Sequence, residues 1–148
     1  MPKSSMKLLI EMATEQLQQQ QQQLQRLNSE RNQATTQLSA LQQYRYDYSE
    51  RLQQTSQQGL TVSNYHNFYR FIGTLDQAIE QQNTVLGQLD RKVSQQQQNW
   101  LSAKQRLNAY QALQDRRDNE HAQQLMRAEQ RQNDELSAAM HYRLKHAN

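Results

Sequence analysis

The sequence predicts an all-α protein: a long antiparallel coiled-coil hairpin of two helices, in which the second helix is longer and overhangs the first. Three observations predict this fold class. Apolar residues make up only 34% of the 148 residues, and Gln alone contributes 31, so a core of several layers cannot be filled. The chain contains three Gly and one Pro, which leaves room for very few turns. Its apolar residues recur with the alternating spacing of three and four that is typical of a coiled coil.

The first predicted helix spans about residues 4–56 and carries one apolar seam. With Leu17 assigned to heptad position a, the a positions are Ile10, Leu17, Leu24, Arg31, Leu38, Arg45 and Leu52, and the d positions are Met6, Ala13, Gln20, Leu27, Ala34, Leu41 and Tyr48. Two Arg and one Gln interrupt the seam, but the spacing persists over about six heptads. A seam of this length indicates a coiled coil.

The second predicted helix spans about residues 63–143 and carries a second seam. Its a positions are Tyr65, Ile72, Ile79, Leu86, Val93, Trp100 and Leu107, and its d positions are Phe68, Leu75, Gln82, Leu89, Gln96, Ala103 and Tyr110. Residues 57–62 form the predicted turn, because Gly59 suits the left-handed conformation that ends a helix. Either Thr61 or Ser63 can cap the helix that follows.

Folding the chain back at this turn brings a positions of one helix against d positions of the other. Residues whose numbers add up to about 120 then face each other, such as Leu27 and Val93. Small residues often face large ones, as Ala34 faces Leu86, which favours close packing. A parallel pair of two chains is the alternative, but the turn favours one chain folded on itself, so we expect the isolated protein to be a monomer. All 148 residues then form one domain. Residues beyond about 116 have no partner in the hairpin and are frayed on their own or ordered by another protein.

The residue types present argue against catalysis, and we predict no enzyme activity, no catalytic residues, no cofactor, no metal site and no small-molecule ligand. The chain has no Cys, which excludes disulfides, thiol catalysis and Cys-based zinc sites. Acidic residues are scattered over helix surfaces, and no Gly-rich phosphate loop is present. His141 and His146 are five residues apart, which places them on different faces of a helix.

Charge and hydropathy also limit the choice of partners and compartment. The net charge of +3 is spread along the chain without a basic block, so we predict no nucleic-acid partner. The apolar run at residues 8–10 is too short for a signal peptide or a membrane span. We therefore expect neither export nor membrane insertion.

Aromatic residues are concentrated near the predicted turn, where seven of the ten lie between residues 44 and 71. Tyr44 and Phe71 fall at g, beside the seams, and the register places them near each other across the hairpin. A two-helix hairpin cannot bury flanking aromatic residues fully, so they should form an exposed apolar patch. The stripe that contains them, called the aromatic face below, consists of Gln37, Leu41, Tyr44, Tyr48, Phe71, Leu75, Ala78 and Gln82. We interpret it as a protein-binding face; a locally thickened core is the alternative.

Four segments carry a more specific pattern: Leu41–Tyr48 (LQQYRYDY), Gly59–Asn64 (GLTVSN), Phe71–Ile79 (FIGTLDQAI) and Trp100–Arg116 (WLSAKQRLNAYQALQDR). In these segments the sequence resembles the FliJ family, small coiled-coil components of the bacterial flagellar type III export apparatus. With the heptads between them, the resemblance covers about residues 37–117.

The resemblance implies a non-enzymatic export protein, cytoplasmic and peripheral at the cytoplasmic face of the inner membrane. FliJ proteins are similar to the stalk of the rotary ATPase γ subunit, and they insert the end that carries both termini into the export ATPase, whose ring they help to assemble. The export ATPase and its regulator are therefore implied partners. A patch near the hairpin turn binds the export-gate protein FlhA, and it corresponds here to the aromatic face; the family often has His where this chain has Gln82. The family also acts as a general export chaperone, which implies substrate chaperones as further partners.

Two other functions stay open on the sequence. A virulence type III secretion stalk protein performs the equivalent task with the same fold. A purely structural coiled-coil scaffold would need no export partner at all.

Overall fold

A computed structural model of the protein describes residues 3–147, with side chains from residue 5 onward. These residues form two α-helices, α1 (Lys3–Gln57) and α2 (Val62–Lys145), and no strand. The predicted all-α fold of two long helices packed against each other is confirmed, and α2 is the longer, with 84 residues against 55 in α1. The predicted single domain over residues 1–148 stays a prediction, and its terminal residues Met1, Pro2 and Asn148 lie outside the described residues.

The connection between the two helices is short and comprises residues 58–61. Gly59 has a φ of +91°, a left-handed conformation that an L side chain adopts only with strain. The Thr61 side chain caps α2, because its Oγ1 accepts a hydrogen bond from the Asn64 amide at 3.3 Å. Of the two capping residues that the sequence allowed, Thr61 therefore makes the cap.

Two glycine substitutions are expected to change stability in opposite directions. Gly59→Ala should lower the free energy of unfolding by about 1 kcal/mol, because alanine is strained at positive φ. Gly73→Ala should raise it by about 1 kcal/mol, because Gly73 lies within α2 and an added methyl group would meet no atom within 4 Å. Urea unfolding followed by circular dichroism measures both values. A stabilised Gly59→Ala protein would show that the turn does not need a left-handed residue.

The chain divides into two compact units, of which the second runs from Gln16 to Ala103 and contains the turn. Its buried residues all occupy a or d positions: Leu27, Ala34, Leu75, Leu89, Val93 and Gln96. The antiparallel register is confirmed by contacts across the seam, where an Arg31 Nη1 lies 3.7 Å from an Asp90 carboxylate oxygen. The rings of Tyr48 and Phe71, whose centroids are 4.5 Å apart, also lie opposite each other as this register predicts. The heptad frame thus identifies the core of this unit.

The first unit comprises the chain up to Glu15 and the chain from Lys104 onward. Its buried residues are Met6, Ala13 and Leu107, again at a and d positions. Beyond Gln114 every described side chain is exposed, although α2 continues to Lys145. The large apolar side chains exposed there are Leu125, Met126, Leu136, Met140, Tyr142 and Leu144.

One predicted seam residue is not in the core. Tyr65 was expected at the first a position of the second seam, but it is 47% exposed and stacks on Tyr69, with ring centroids 6.0 Å apart. The register sets Thr55 opposite Tyr65, and Thr55 turns its hydroxyl to the Arg51 carbonyl at 2.7 Å. Because the facing position offers little apolar surface, Tyr65 packs along its own helix, and the packed seam of α2 begins at Phe68.

Candidate functional site

The aromatic face lies entirely within the second unit, where both helices contribute to it. Three contacts between tilted aromatic rings lie at its centre. The centroid of the Phe71 ring lies 4.5 Å from that of Tyr48 and 6.3 Å from that of Tyr44, while Tyr48 and Phe68 are 5.0 Å apart. Tilted aromatic pairs at these separations are favourable beyond the area that they bury. The predicted proximity of Tyr44 and Phe71 is therefore confirmed.

Exposure across the face separates a floor from a rim. Leu75 is buried, and Leu41 and Tyr48 are half-buried, so these three form the floor. Tyr44 is 58% exposed and Phe71 is 37% exposed, and these rings form the rim. The face therefore offers two aromatic rings whose positions are set by packing beneath them, an arrangement typical of protein-binding sites.

The edge of the face is occupied by amide groups that bond within the protein. The Nε2 of Gln82 donates to the Ala34 carbonyl at 3.0 Å and to the Gln37 Oε1 at 3.1 Å. Ala78, the remaining predicted member, is half-buried. Of the eight predicted residues, the ring contacts join Tyr44, Tyr48 and Phe71, and a hydrogen bond joins Gln37 and Gln82.

An ion pair lies in the same part of the unit, and the sequence analysis did not identify it. The Arg45 guanidinium reaches across the helices to the Asp76 carboxylate, with an Nη2 to Oδ2 distance of 3.4 Å for the longer of its two hydrogen bonds. The hydrogen bond to Asp76, and then the charge of that carboxylate, raise the pKa of Arg45. In the heptad pattern, Arg45 is a charged residue at an a position, where an apolar residue is usual. An acidic residue at the nearby e position of the opposite helix, here Asp76, is the sequence feature that could have predicted its partner.

The imidazole and carboxylate groups of the described residues are scattered over the helices. Among the described residues, no three His, Asp and Glu side chains come close enough to hold a metal ion. His146 lies against the Tyr142 ring, with centroids 4.2 Å apart. The polar groups at the rim are a phenol hydroxyl and backbone atoms already used in the helices.

The two helices and the aromatic face place this protein in the class of two-helix coiled-coil proteins that present side chains for contact from a helical hairpin. The family model described as flagellar FliJ protein matches residues 2–146 of this chain. The protein therefore belongs to the flagellar FliJ family.

Two curated relatives show how far the likeness extends. The chain is 39% identical over 84 residues to the flagellar FliJ protein of Salmonella typhi, a stretch that covers 57% of each chain. It is 38% identical over 84 residues to the flagellar FliJ protein of Escherichia coli strain K12, again over 57% of each. The aligned part of the chain thus spans little more than half the length of these relatives. No solved structure matches the chain significantly.

Proposed function

We propose that this protein is a non-enzymatic link between the export ATPase and the export gate, and that its aromatic face binds the gate protein FlhA. One observation carries the proposal: Tyr44 and Phe71 stand exposed on a packed floor in a chain of the FliJ family. Exposed aromatic rings fixed by their neighbours lose little freedom when a partner covers them, so they make strong contacts.

The segment of α2 beyond Gln114 is the part we assign to the export ATPase and its regulator. Leu125, Leu136 and Met140 are exposed there, and at 100° per residue they fall within about 60° of one another. Met126, Tyr142 and Leu144 are exposed on the flanks of this stripe. A helix with such exposed apolar surface suits insertion between helices of a partner. By promoting assembly of the ATPase ring through this segment and binding the gate through the aromatic face, the protein would act as a stalk. Substrate chaperones would be further partners in its role as an export chaperone.

Membrane association would come through the gate. No helix among the described residues is long and apolar enough to cross a membrane. Contact with FlhA would hold the protein peripherally at the cytoplasmic face of the inner membrane. Fractionation of cells with and without FlhA tests this location.

Truncation after Asp115 separates the two proposed binding functions. Because none of residues 115–147 is buried, we expect the melting temperature of the shortened protein to stay close to that of the full chain. Its binding to the export ATPase in pull-downs should be lost, while its binding to the FlhA linker should be kept. Phe71→Ala should show the converse pattern, with ATPase binding kept and FlhA binding lost.

Two results would contradict this division. A large fall in melting temperature on truncation would show that the segment packs back onto the rest of the chain. Retention of ATPase binding by the truncated protein would place that partner elsewhere on the molecule.

A further inference from the structure

Two glutamines occupy d positions of the α2 seam, where an apolar residue would ordinarily pack. Gln96 is only 6% exposed, and its Nε2 donates to the Gln20 carbonyl at 2.9 Å and to the Gln20 Oε1 at 2.6 Å. Gln82 is half-buried, and its Nε2 makes the corresponding pair of bonds to the Ala34 carbonyl and the Gln37 Oε1. Each amide therefore bonds both a main-chain and a side-chain oxygen of the opposite helix.

The main-chain bonds of the two contacts repeat at a regular interval. Gln82 and Gln96 are two heptads apart, and the carbonyls that they reach, on Ala34 and Gln20, are also two heptads apart. Two ion pairs follow the same interval. Arg45 pairs with Asp76, and Arg31 pairs with Asp90, so cross-helix charge pairs and amide contacts alternate along the unit.

A slide of the helices by one heptad would keep the apolar spacing and the main-chain carbonyls, but it would change the side-chain acceptors and the ion pairs. Gln82 would meet Glu30 or Tyr44 in place of Gln37, and Gln96 would meet Ala13 or Leu27 in place of Gln20 and lose its side-chain acceptor. Neither arginine would find a carboxylate, since Arg45 would face Asn83 or Tyr69. A buried amide N–H without an acceptor is costly, whereas the leucine packing of a coiled coil is similar in neighbouring registers. The four-residue connection 58–61 disfavours longer slides further, because the helix ends would have to unwind.

We propose that Gln82 and Gln96 are positioning residues that fix the register of the hairpin and thereby align Tyr44 with Phe71. Gln82 would then act on the aromatic face from within the protein, by placing the two rings opposite each other, and it would not contact the partner. The link to partner binding rests on the proposed function; the register itself does not. A one-heptad slide displaces the rings by about 10 Å along the helices, which separates them.

Cysteine pairs test the register directly, because the natural chain has no Cys. Leu27→Cys with Val93→Cys reports the native register, while Leu27→Cys with Leu86→Cys or with Trp100→Cys reports a slide in either direction. In the otherwise unchanged chain we expect disulfide formation only in the native pair, since a disulfide needs Cα atoms within about 7 Å. Adding Gln82→Leu and Gln96→Leu should produce at least one of the shifted disulfides as well. Gln77→Leu with Gln88→Leu is the matched control, because both glutamines are exposed and lie off the seam.

The proposal also predicts how the stability and the partner binding of the Gln82→Leu, Gln96→Leu variant change. Leucine at both d positions should leave the melting temperature unchanged or raise it, because replacing buried polar groups with packed apolar ones is often stabilising. Binding to the FlhA linker should nevertheless fall several-fold in this variant and not in the control. Disulfides confined to the native pair in the Gln82→Leu, Gln96→Leu protein would overturn the proposal, whatever its binding. Shifted disulfides with unchanged FlhA binding would overturn the link between register and the aromatic face.

Discussion

Replacing Tyr44 or Phe71 with alanine is expected to weaken the proposed binding to the FlhA linker by at least tenfold while leaving the helices intact. Both rings stand at the rim of the aromatic face, and central aromatic residues of an interface commonly cost about 2 kcal/mol or more when truncated. The cost in stability should be smaller. Phe71 is 37% exposed, so Phe71→Ala should lose less than the roughly 3–5 kcal/mol typical of a buried phenylalanine. Pull-down or calorimetry measures binding, and circular dichroism at 222 nm measures helicity.

The chain supplies matched controls for this experiment. Tyr46 and Tyr69 are as exposed as Tyr44, but they lie outside the aromatic face, so Tyr46→Ala and Tyr69→Ala should bind FlhA normally. Tyr44→Phe keeps the ring and removes the hydroxyl, which separates apolar contact from hydrogen bonding. Loss of helicity in both Tyr44→Ala and Phe71→Ala would support a locally thickened core in place of a binding face. Equal loss of binding in all four alanine variants would point to a general requirement for aromatic side chains around the turn.

Val93→Asp is expected to cause the largest loss of stability of any change proposed for this protein, about 3–5 kcal/mol. Val93 is only 2% exposed and lies at an a position of the seam, in a unit whose buried residues all occupy a or d. A carboxylate there would be removed from water without a designed partner. Since small domains unfold at roughly 5–15 kcal/mol, such a loss is a large part of the total free energy of unfolding. Thermal melts followed by circular dichroism measure it.

The same variant has a pH signature with a defined sign. Burial without a partner raises the pKa of the introduced carboxyl in the folded state above its value in the unfolded chain. The folded state then binds more protons, so its stability falls as pH rises through this range. The deficit relative to the natural chain should therefore be smaller near about pH 4 than near pH 7.

Val85→Asp is the matched control, because Val85 is the same residue type on the same helix but is 42% exposed at a g position. Its effect should stay within about 0.5 kcal/mol, as for most surface substitutions. Similar losses for the two variants would mean that the heptad frame does not identify the core of the second unit.

Much of this architecture could be predicted because the core positions of a coiled coil recur at a regular spacing along the sequence. The seams need only residue type and spacing, and every buried residue described occupies a predicted a or d position. The register follows from matching one seam to the other, and it correctly predicts that Tyr44 lies beside Phe71. Gly59 marked the turn, because few other positions in the chain can adopt a left-handed backbone.

Contacts that depend on how a side chain is directed were not predictable in this way. Tyr65 has the spacing of a seam residue, yet it is exposed, because the first turn of a helix beside a tight connection has little to pack against. Gln82 and Gln96 interrupted the pattern as polar residues, and periodicity does not say whether such a residue turns to water or bonds across the seam. Arg45 raised the same question, which its contact with Asp76 answered.

By itself, therefore, the sequence determined the two helices, the turn between them, the residues of the seam and the surface on which the aromatic side chains lie. Only the tertiary structure decided which of these side chains are exposed and which are buried or hydrogen-bonded. It left the Tyr44 and Phe71 rings exposed, buried Leu75 and engaged Gln82 with Ala34 and Gln37. The physical reason is that heptad spacing sets the angle of a residue around its own helix. Its exposure and its hydrogen bonds depend also on the side chains that the other helix places opposite it.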